Sequence, residues 1–220
     1  MIDNICFSFS SCILLYPYLL GVAKQLYDTF RDDLKNYTFC GCSYGSIVCA
    51  LLALDIDPEF FFFKMMEYQQ ILNPLKIFEI VLEDINLKNE LLIEKINNRC
   101  QITVTQLPFF RQINIYQYKN LRELNEWLSV ACTDIISGKF IPTEKDSKLY
   151  INSCYSCIQS KWHNNLKKNI FINLIDKNKS EIYPSNSINF INKDNYDLYN
   201  LGIKDTVKWL ESNKIKYSKK

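Results

Sequence analysis

The sequence predicts an α/β domain with a largely parallel sheet, arranged in three α/β/α layers. Apolar, β-rich segments alternate with amphipathic helical segments along the chain, a pattern typical of parallel sheets. A serine flanked by two glycines follows a short strand and precedes an apolar helix, at Gly41-Cys42-Ser43-Tyr44-Gly45. With a length of 220 residues and a hydrophobic fraction of 48%, residues 1–220 are predicted to form a single domain around one core.

The N-terminal part of the chain is predicted to contain two strands, each followed by a helix. Residues 5–10 alternate in polarity as a strand does, and residues 14–30 carry an apolar stripe at helical spacing. Residues 37–40 form the second predicted strand, which we expect to lie parallel to the first. The apolar residues 46–54 then predict a buried helix, with Ser43 at its start.

The rest of the chain continues this alternation. Helices are predicted over residues 58–70, 75–97, 121–131 and 205–213, and strands over residues 101–105, 112–118, 149–152, 169–175 and 187–191. The four successive aromatic residues 60–63 would point all round their helix. This favours burial on several sides over a lipid-facing patch.

Charge and hydropathy narrow the classes of partner and location. The net charge of +2 gives no electrostatic support to a nucleic-acid partner, and the basic residues from about 214 onward are interpreted as a solvated tail. The apolar residues 12–22 are fewer than the ~20 that cross a bilayer. Asp3 is acidic and no Lys or Arg precedes this stretch, which argues against a signal peptide. We therefore expect a cytoplasmic protein without a transmembrane helix.

The cysteines predict free thiols in a reducing compartment. Their number, nine, is odd, and several lie within apolar runs, where a free cysteine behaves as a small hydrophobic residue. The close pairs Cys40-x-Cys42 and Cys154-x-x-Cys157, with the single histidine His163, do not have the ligand spacing of a zinc site. No metal or cofactor is therefore predicted.

The glycine-flanked serine predicts a nucleophile elbow. A sharp strand-to-helix turn exposes the serine hydroxyl at a helix N-terminus, where positive dipole character stabilises a developing oxyanion. The alternative is that Ser43 only shapes the turn and caps the helix. The order Ser43, then Asp134 or Asp146, then His163 matches the triad order of α/β-hydrolases. However, the segment before Ser43 has room for only one strand and one helix before the elbow strand, so the front of that fold is missing.

Six segments together resemble another family of serine hydrolases. Phe7-Ser8-Phe9-Ser10 runs into Ser11-Cys12-Ile13-Leu14-Leu15-Tyr16, and Leu20-Gly21-Val22 follows within the helix. The elbow comes next, and much later come Tyr150-Ile151-Asn152-Ser153-Cys154 and Leu198-Tyr199-Asn200-Leu201-Gly202. In this order and register they resemble the patatin-like phospholipases, over nearly the whole chain. The resemblance implies a three-layer patatin-like domain.

The resemblance also implies a chemistry, from which this chain departs at two places. The family hydrolyses acyl esters with a serine–aspartate dyad, and an oxyanion loop of the form G-G-G-x-(R/K)-G follows its first strand. Here Asn152 stands at the position of the aspartate, and an amide cannot accept a proton as a base. The first three loop glycines are replaced by Ser11, Cys12 and Ile13, and the last by Tyr16. Both changes predict weak or absent catalysis, although Ser43 is retained.

These observations leave three functions open. The first is a lipid acyl hydrolase acting weakly on phospholipid or neutral lipid esters through Ser43. The second is a non-catalytic protein that binds a lipid or a partner protein in the inherited pocket. The third is a scaffold that contacts membranes through residues 60–63. The resemblance implies a lipid or membrane surface as partner, with peripheral association at membranes or lipid droplets.

Other residues near the site offer alternative chemistry. Asp134 or Asp146 could replace the missing base, and Cys42 or Cys154 could act as a thiol nucleophile. The resemblance implies that Ser43 and Asn152 face one another within hydrogen-bonding reach.

Overall fold

A mixed seven-stranded sheet forms the centre of the part of the chain that the structure describes. The structure is a computed structural model and describes residues 5–10, 15–68, 73–85, 89–133, 142–153, 168–172, 181–182, 184 and 194–213. Four neighbouring strands are parallel, in the order β7 (Lys168–Ile172), β1 (Ile5–Phe9), β2 (Thr38–Cys42) and β3 (Cys100–Gln106). Three further strands pair antiparallel: β4 (Arg111–Ile115) and β6 (Lys148–Asn152) with β3, and β5 (Thr143–Lys145) with β6.

Helices flank this sheet. Those described are α1 (Tyr16–Phe30), α2 (Gly45–Ala53), α3 (Pro58–Tyr68), α4 (Pro74–Ile85), α5 (Asn89–Ile96), α6 (Leu121–Cys132) and α7 (Asn195–Ser212). Side chains on both faces of the parallel strands are buried: Phe7 and Phe39 on one face, Cys6 and Cys40 on the other. A sheet buried on both faces is the middle layer of an α/β/α fold. The predicted fold class is therefore confirmed.

β2 and β6 pair with successive parts of the same strand, β3, and this arrangement determines where the candidate site lies. Thr103 of β3 pairs with Cys42 of β2 on one edge and with Asn114 of β4 on the other. One residue further, Val104 pairs with Asn152 of β6 and again with β4. Because β4 pairs with one side of β3 along this whole stretch, β2 and β6 both pair with the other side of β3. β6 therefore runs toward the end of β2, and the first residue after β2 is Ser43.

Most predicted elements are present, with differences at their ends. β2 extends through Gly41 and Cys42 because these residues still pair with β3, whereas the prediction stopped at residue 40. The predicted helix over 75–97 is described as α4 and α5, with residues 86–88 outside the described part. β5 was not predicted, since its three residues are mostly exposed and carry no apolar pattern. The predicted strand over 187–191 lies outside the described residues.

The last helix begins ten residues earlier than predicted, and this start is a correction. α7 begins after Asp194, whose side chain accepts a hydrogen bond from Asp197 N and so caps the helix. Gly202 lowers the helix propensity of this segment, and the prediction therefore began the helix only at residue 205. Packing against α1 compensates for this glycine.

Two glycines allow α1 and α7 to pack backbone to backbone. A Cβ on Gly21 would overlap the backbone carbonyl of Tyr199, and a Cβ on Gly202 would overlap that of Tyr18. Below this crossing, the Tyr18 hydroxyl donates to the buried carboxylate of Asp205 across the two helices, at 3.4 Å. Gly21, the centre of the Leu-Gly-Val step, is therefore a packing residue.

No helix in the described residues is both long and apolar enough to cross a membrane.

We expect Gly202→Ala to lower the free energy of unfolding by about 2 kcal/mol or more, because the added methyl group forces the helices apart. The intrinsic helix gain of about 1 kcal/mol for Gly→Ala does not offset this. Urea unfolding measures the change. The control is Asn200→Ala, at an exposed position in the same turn, which should change stability by no more than about 0.5 kcal/mol. Equal stability of Gly202→Ala and the wild type would contradict the close crossing.

Candidate functional site

Ser43 lies in a tight turn between β2 and α2. Its φ of 52° is in the left-handed region, which non-glycine residues rarely adopt, and its side chain is fully buried. Ser46 N donates to the Ser43 carbonyl at 2.9 Å, and Cys132 Sγ donates to the same carbonyl at 3.5 Å. The turn is thus held by hydrogen bonds from α2 and from the end of α6. This is the geometry expected of a nucleophile elbow.

The two flanking glycines are required by space. A Cβ on Gly41 would lie 2.5 Å from the carbonyl oxygen of Gly45 and 2.6 Å from Ser46 N. A Cβ on Gly45 would lie 2.6 Å from the carbonyl oxygen of Phe9 and 2.7 Å from that of Ser10. These distances are too short for any side chain. Glycine at both positions lets α2 start directly against β2 and the end of β1.

Asn152 contacts Ser43 directly. Its Nδ2 lies 3.1 Å from Ser43 Oγ and 3.2 Å from the backbone carbonyl oxygen of Thr133. A backbone carbonyl can only accept, so the Thr133 contact requires the amide nitrogen, and not the amide oxygen, on that side. The second N–H of the same nitrogen then points to Ser43 Oγ. The structure thus brings together the two residues that the sequence placed in a dyad, with Asn152 as donor.

The surroundings of Asn152 suit an amide better than a carboxylate. Thr133 is the C-terminal cap of α6, so its carbonyl lies at the negative end of that helix dipole. A carboxylate at position 152 would face this carbonyl with no proton between them. Electrostatic repulsion and burial would both favour the protonated, neutral form of the acid.

The structure does not place the alternative bases and nucleophiles that it describes where they could act with Ser43. Asp146 lies in the exposed β5–β6 turn, at the opposite end of β6 from Asn152. Cys42 pairs with Thr103, whereas Asn152 pairs with the next residue, Val104. The Cys42 side chain therefore lies on the opposite face of the sheet from that of Asn152. Asp134, Cys154 and His163 lie outside the described residues, as do Ser11, Cys12 and Ile13. The role of the oxyanion loop stays a prediction.

Three buried hydroxyl groups near the elbow were not singled out from the sequence. The side-chain oxygens of Ser10, Tyr16 and Ser46 are buried and make no hydrogen bond in the described structure. Ser10 follows the end of β1 and lies beside Gly45, Ser46 is in the first turn of α2, and the Tyr16 ring packs against Tyr44 at 5.6 Å between centroids. Burial raises the pKa of Tyr16, so its hydroxyl stays protonated and can donate. For Tyr16 the signal was its place at the last glycine of the family's loop.

The buried thiols have the character of core residues. Burial raises the pKa values of Cys49 and Cys100, and burial together with the neighbouring Cys40 raises that of Cys6. Thiols of this kind are protonated at neutral pH and react slowly. Among the residues that the structure describes, no group of three or more metal-ligating side chains comes together.

The aromatic residues 60–63 divide between core and surface. Phe61 and Phe62 are fully buried, and Phe62 stacks on Tyr199 of α7 at 4.1 Å between ring centroids. Phe60 and Phe63 are exposed. The expectation of burial on several sides is therefore right for two of the four residues.

Comparison with known proteins supports the fold. No protein-family model matches this chain, and no curated protein matches it. Among solved structures, the crystal structure of VipD from Legionella pneumophila is similar, with a TM-score of 0.58 and 9% sequence identity over 96% of this chain and 67% of that chain. The fold is patatin-like. At this identity the similarity shows the fold alone, and the activity has to be argued from the site.

We expect Asn152→Asp to destabilise the protein in a pH-dependent way. Repulsion from the Thr133 carbonyl raises the folded-state pKa of the new carboxyl above its unfolded value of ~3.9. Stability relative to the wild type is then nearly preserved at pH 4 and below, and is lost as pH rises through the folded-state pKa. Urea unfolding at several pH values should show a loss of about 2 kcal/mol at neutral pH. Asn200→Asp, exposed on α7, is the control and should show no such trend.

We expect Tyr16→Phe to leave the free energy of unfolding unchanged or to raise it by about 1 kcal/mol, because it removes a buried hydroxyl that makes no described hydrogen bond. Tyr118→Phe is the matched comparison. The hydroxyl of Tyr118 is also buried but donates to the Ile115 carbonyl at 2.9 Å, so its removal should cost about 1 kcal/mol. Equal losses in the two variants would mean that the Tyr16 hydroxyl is satisfied.

Proposed function

We propose that this chain is a divergent patatin-like protein of the lipid acyl hydrolase class, in which Ser43 is retained but hydrolysis of phospholipid or neutral lipid esters is weak or absent. The observation that carries the proposal is the direction of one hydrogen bond. Asn152 Nδ2 donates to Ser43 Oγ at 3.1 Å. In a working dyad the partner of the serine must accept its proton.

The neighbouring contacts make this direction hard to reverse. Turning the amide over would place its oxygen against the Thr133 carbonyl, an acceptor facing an acceptor. Ser43 Oγ therefore has no proton acceptor at Asn152 in either orientation of the serine hydroxyl. Loss of a general base removes ~10²–10⁴ in rate, and loss of an oxyanion donor typically removes a further ~10²–10³.

A second candidate function is non-catalytic binding of a lipid in the same pocket. The buried hydroxyls of Ser10, Tyr16 and Ser46, which have no partner in the described structure, favour it. Donors of this kind match the carbonyl or carboxylate oxygens of an acyl ester or a fatty acid. In this function the Asn152 amide holds Ser43 Oγ as an acceptor, which leaves the Ser43 hydroxyl proton to be donated to a lipid oxygen.

We expect wild-type protein to hydrolyse short-chain esters and phospholipids at or near the rate of Ser43→Ala. Asn152→Asp alone should recover little, since Ser11, Cys12 and Ile13 still stand where the patatin-like family has its oxyanion-loop glycines. Asn152→Asp with glycines at positions 11–13 should exceed either change alone, because catalytic groups that act as a unit are non-additive. Turnover and labelling by a fluorophosphonate probe are the measurements. Intact-mass analysis excludes deamidation at Asn152-Ser153 in each sample.

Robust wild-type turnover that disappears in Ser43→Ala would show that the proposed loss of activity is wrong. Lipid identified by mass spectrometry in natively purified wild type, but reduced in a Ser10→Ala/Ser46→Ala variant, would favour the binding function. Absence of lipid from natively purified wild type would count against the binding function.

A further inference from the structure

Two hairpin tips lie side by side beyond the candidate site. One is the β3–β4 connection, residues 107–110, and the other is the β5–β6 turn, residues 146 and 147, with the start of β6. Leu107 N donates to the Leu149 carbonyl at 2.9 Å and joins the two. Together they line an open groove of about 930 Å³. We call residues 107–111 and 146–149 the hairpin-tip surface.

This surface lies beyond the C-terminal ends of the parallel strands, on the same side of the sheet as Ser43. β2 and β3 are parallel, so the chain leaves both strands at one edge, into the elbow after β2 and into the tip after β3. Val104 is level with Ser43, and β3 continues two residues further, or ~7 Å, before the tip begins. β6 spans the same interval from the opposite direction, from the tip at Lys148 to the site at Asn152.

The hairpin-tip surface is apolar and projects from the fold. Phe109 is 74% exposed, Phe110 51% and Leu149 44%. Pro108 between them is also exposed. Single exposed apolar residues are normal, but a contiguous group of this kind marks a site of contact with another protein or with a membrane.

Cationic side chains accompany these apolar groups. The Arg111 guanidinium lies 5.4 Å from the centre of the Phe109 ring, and the exposed Lys148 precedes Leu149. Within the described part of the chain, neither Arg111 nor Lys148 forms an ion pair, so both remain available to a phosphate. Asp146 is the acidic residue of the surface. Aromatic rings backed by Arg and Lys match the interface of a phospholipid bilayer, where rings insert below the headgroups and cations meet the phosphates.

We propose that the hairpin-tip surface docks the protein on a phospholipid bilayer, with Phe109, Phe110 and Leu149 inserted and Arg111 and Lys148 at the headgroups. The inference deepens the proposed function and rests on it for the lipid class. It assigns the surface that faces the bilayer, at the same end of the strands as Ser43. Docking itself needs no catalytic step, so the two can be tested separately.

Residues 60–63, for which membrane contact was one of the open alternatives, provide a matched control. Phe60 and Phe63 are exposed on α3, and the Lys64 ammonium lies 5.8 Å from the centre of the Phe60 ring. However, Lys64 is paired with Asp84 at 3.0 Å, and the aromatic residues between the two exposed ones are buried. This segment therefore has the same residue types without the available charge.

Vesicle co-sedimentation tests the proposal. Wild-type protein is mixed with vesicles of phosphatidylcholine, with and without phosphatidylserine. We expect Phe109→Ser/Phe110→Ser to lower the partition coefficient on both lipids by about tenfold or more, because the transfer of two rings is lost. Arg111→Glu/Lys148→Glu should lower binding severalfold on phosphatidylserine vesicles and reduce its dependence on salt. Phe60→Ser/Phe63→Ser and Ser43→Ala should bind as the wild type does. Urea unfolding verifies that each variant is folded.

Three results would overturn the docking proposal. They are absence of wild-type binding to either vesicle, equal binding by the wild type and Phe109→Ser/Phe110→Ser, and self-association that this double substitution removes while no vesicle binds. Robust hydrolysis through Ser43 with undisturbed docking would count only against the proposed weak activity. Absent docking with background hydrolysis would count only against the docking surface.

Discussion

The backbone around Ser43 reverses direction within a few residues, and it can do so only because Gly41 and Gly45 carry no side chains. Each would otherwise place a Cβ within 2.7 Å of a backbone atom, from α2 in one case and from the end of β1 in the other. Ser43 itself accepts a positive φ, which costs on the order of 1–2 kcal/mol for a non-glycine residue. The buried apolar helix α2 offsets this cost. The end of β1, Ser43 and the N-terminus of α2 are consequently held close together.

The second element of the site reaches that point through the sheet. β2 and β6 occupy one edge of β3 in succession, so the last residue of β6 meets the first residue after β2. One short strand thereby connects the amide of Asn152 at one end with the exposed Lys148 and Leu149 at the other. Because the strand is hydrogen-bonded to β3, the site and the hairpin-tip surface are held at a constant separation. A membrane bound at the tips would lie at a defined distance from Ser43.

The chemistry of the site follows from which atoms can donate. The Thr133 carbonyl at the end of α6 can only accept, and it selects an amide over a carboxylate at position 152. The resulting donor beside Ser43 is unsuited to removing a proton from the Ser43 hydroxyl. The buried hydroxyls of Ser10, Tyr16 and Ser46 add donors of the same kind. An amide beside Ser43 and these hydroxyls both favour the proposed binding of lipid oxygens over the hydrolysis of esters.

The local features of this protein were determined by its sequence alone. Periodicity identified the strands around the elbow and most helices, and the spacing of Gly41, Ser43 and Gly45 identified the turn, because these signals depend on neighbouring residues. The pairing of Ser43 with Asn152 was predicted from the resemblance to the patatin-like phospholipases. Only the tertiary structure decided the direction of their hydrogen bond, because Thr133 carries no sequence signal and acts through a backbone carbonyl. The hairpin-tip surface was likewise decided there, since the exposure of Phe109, Phe110 and Leu149 depends on how two hairpins meet, and apolar residues are otherwise expected in the core.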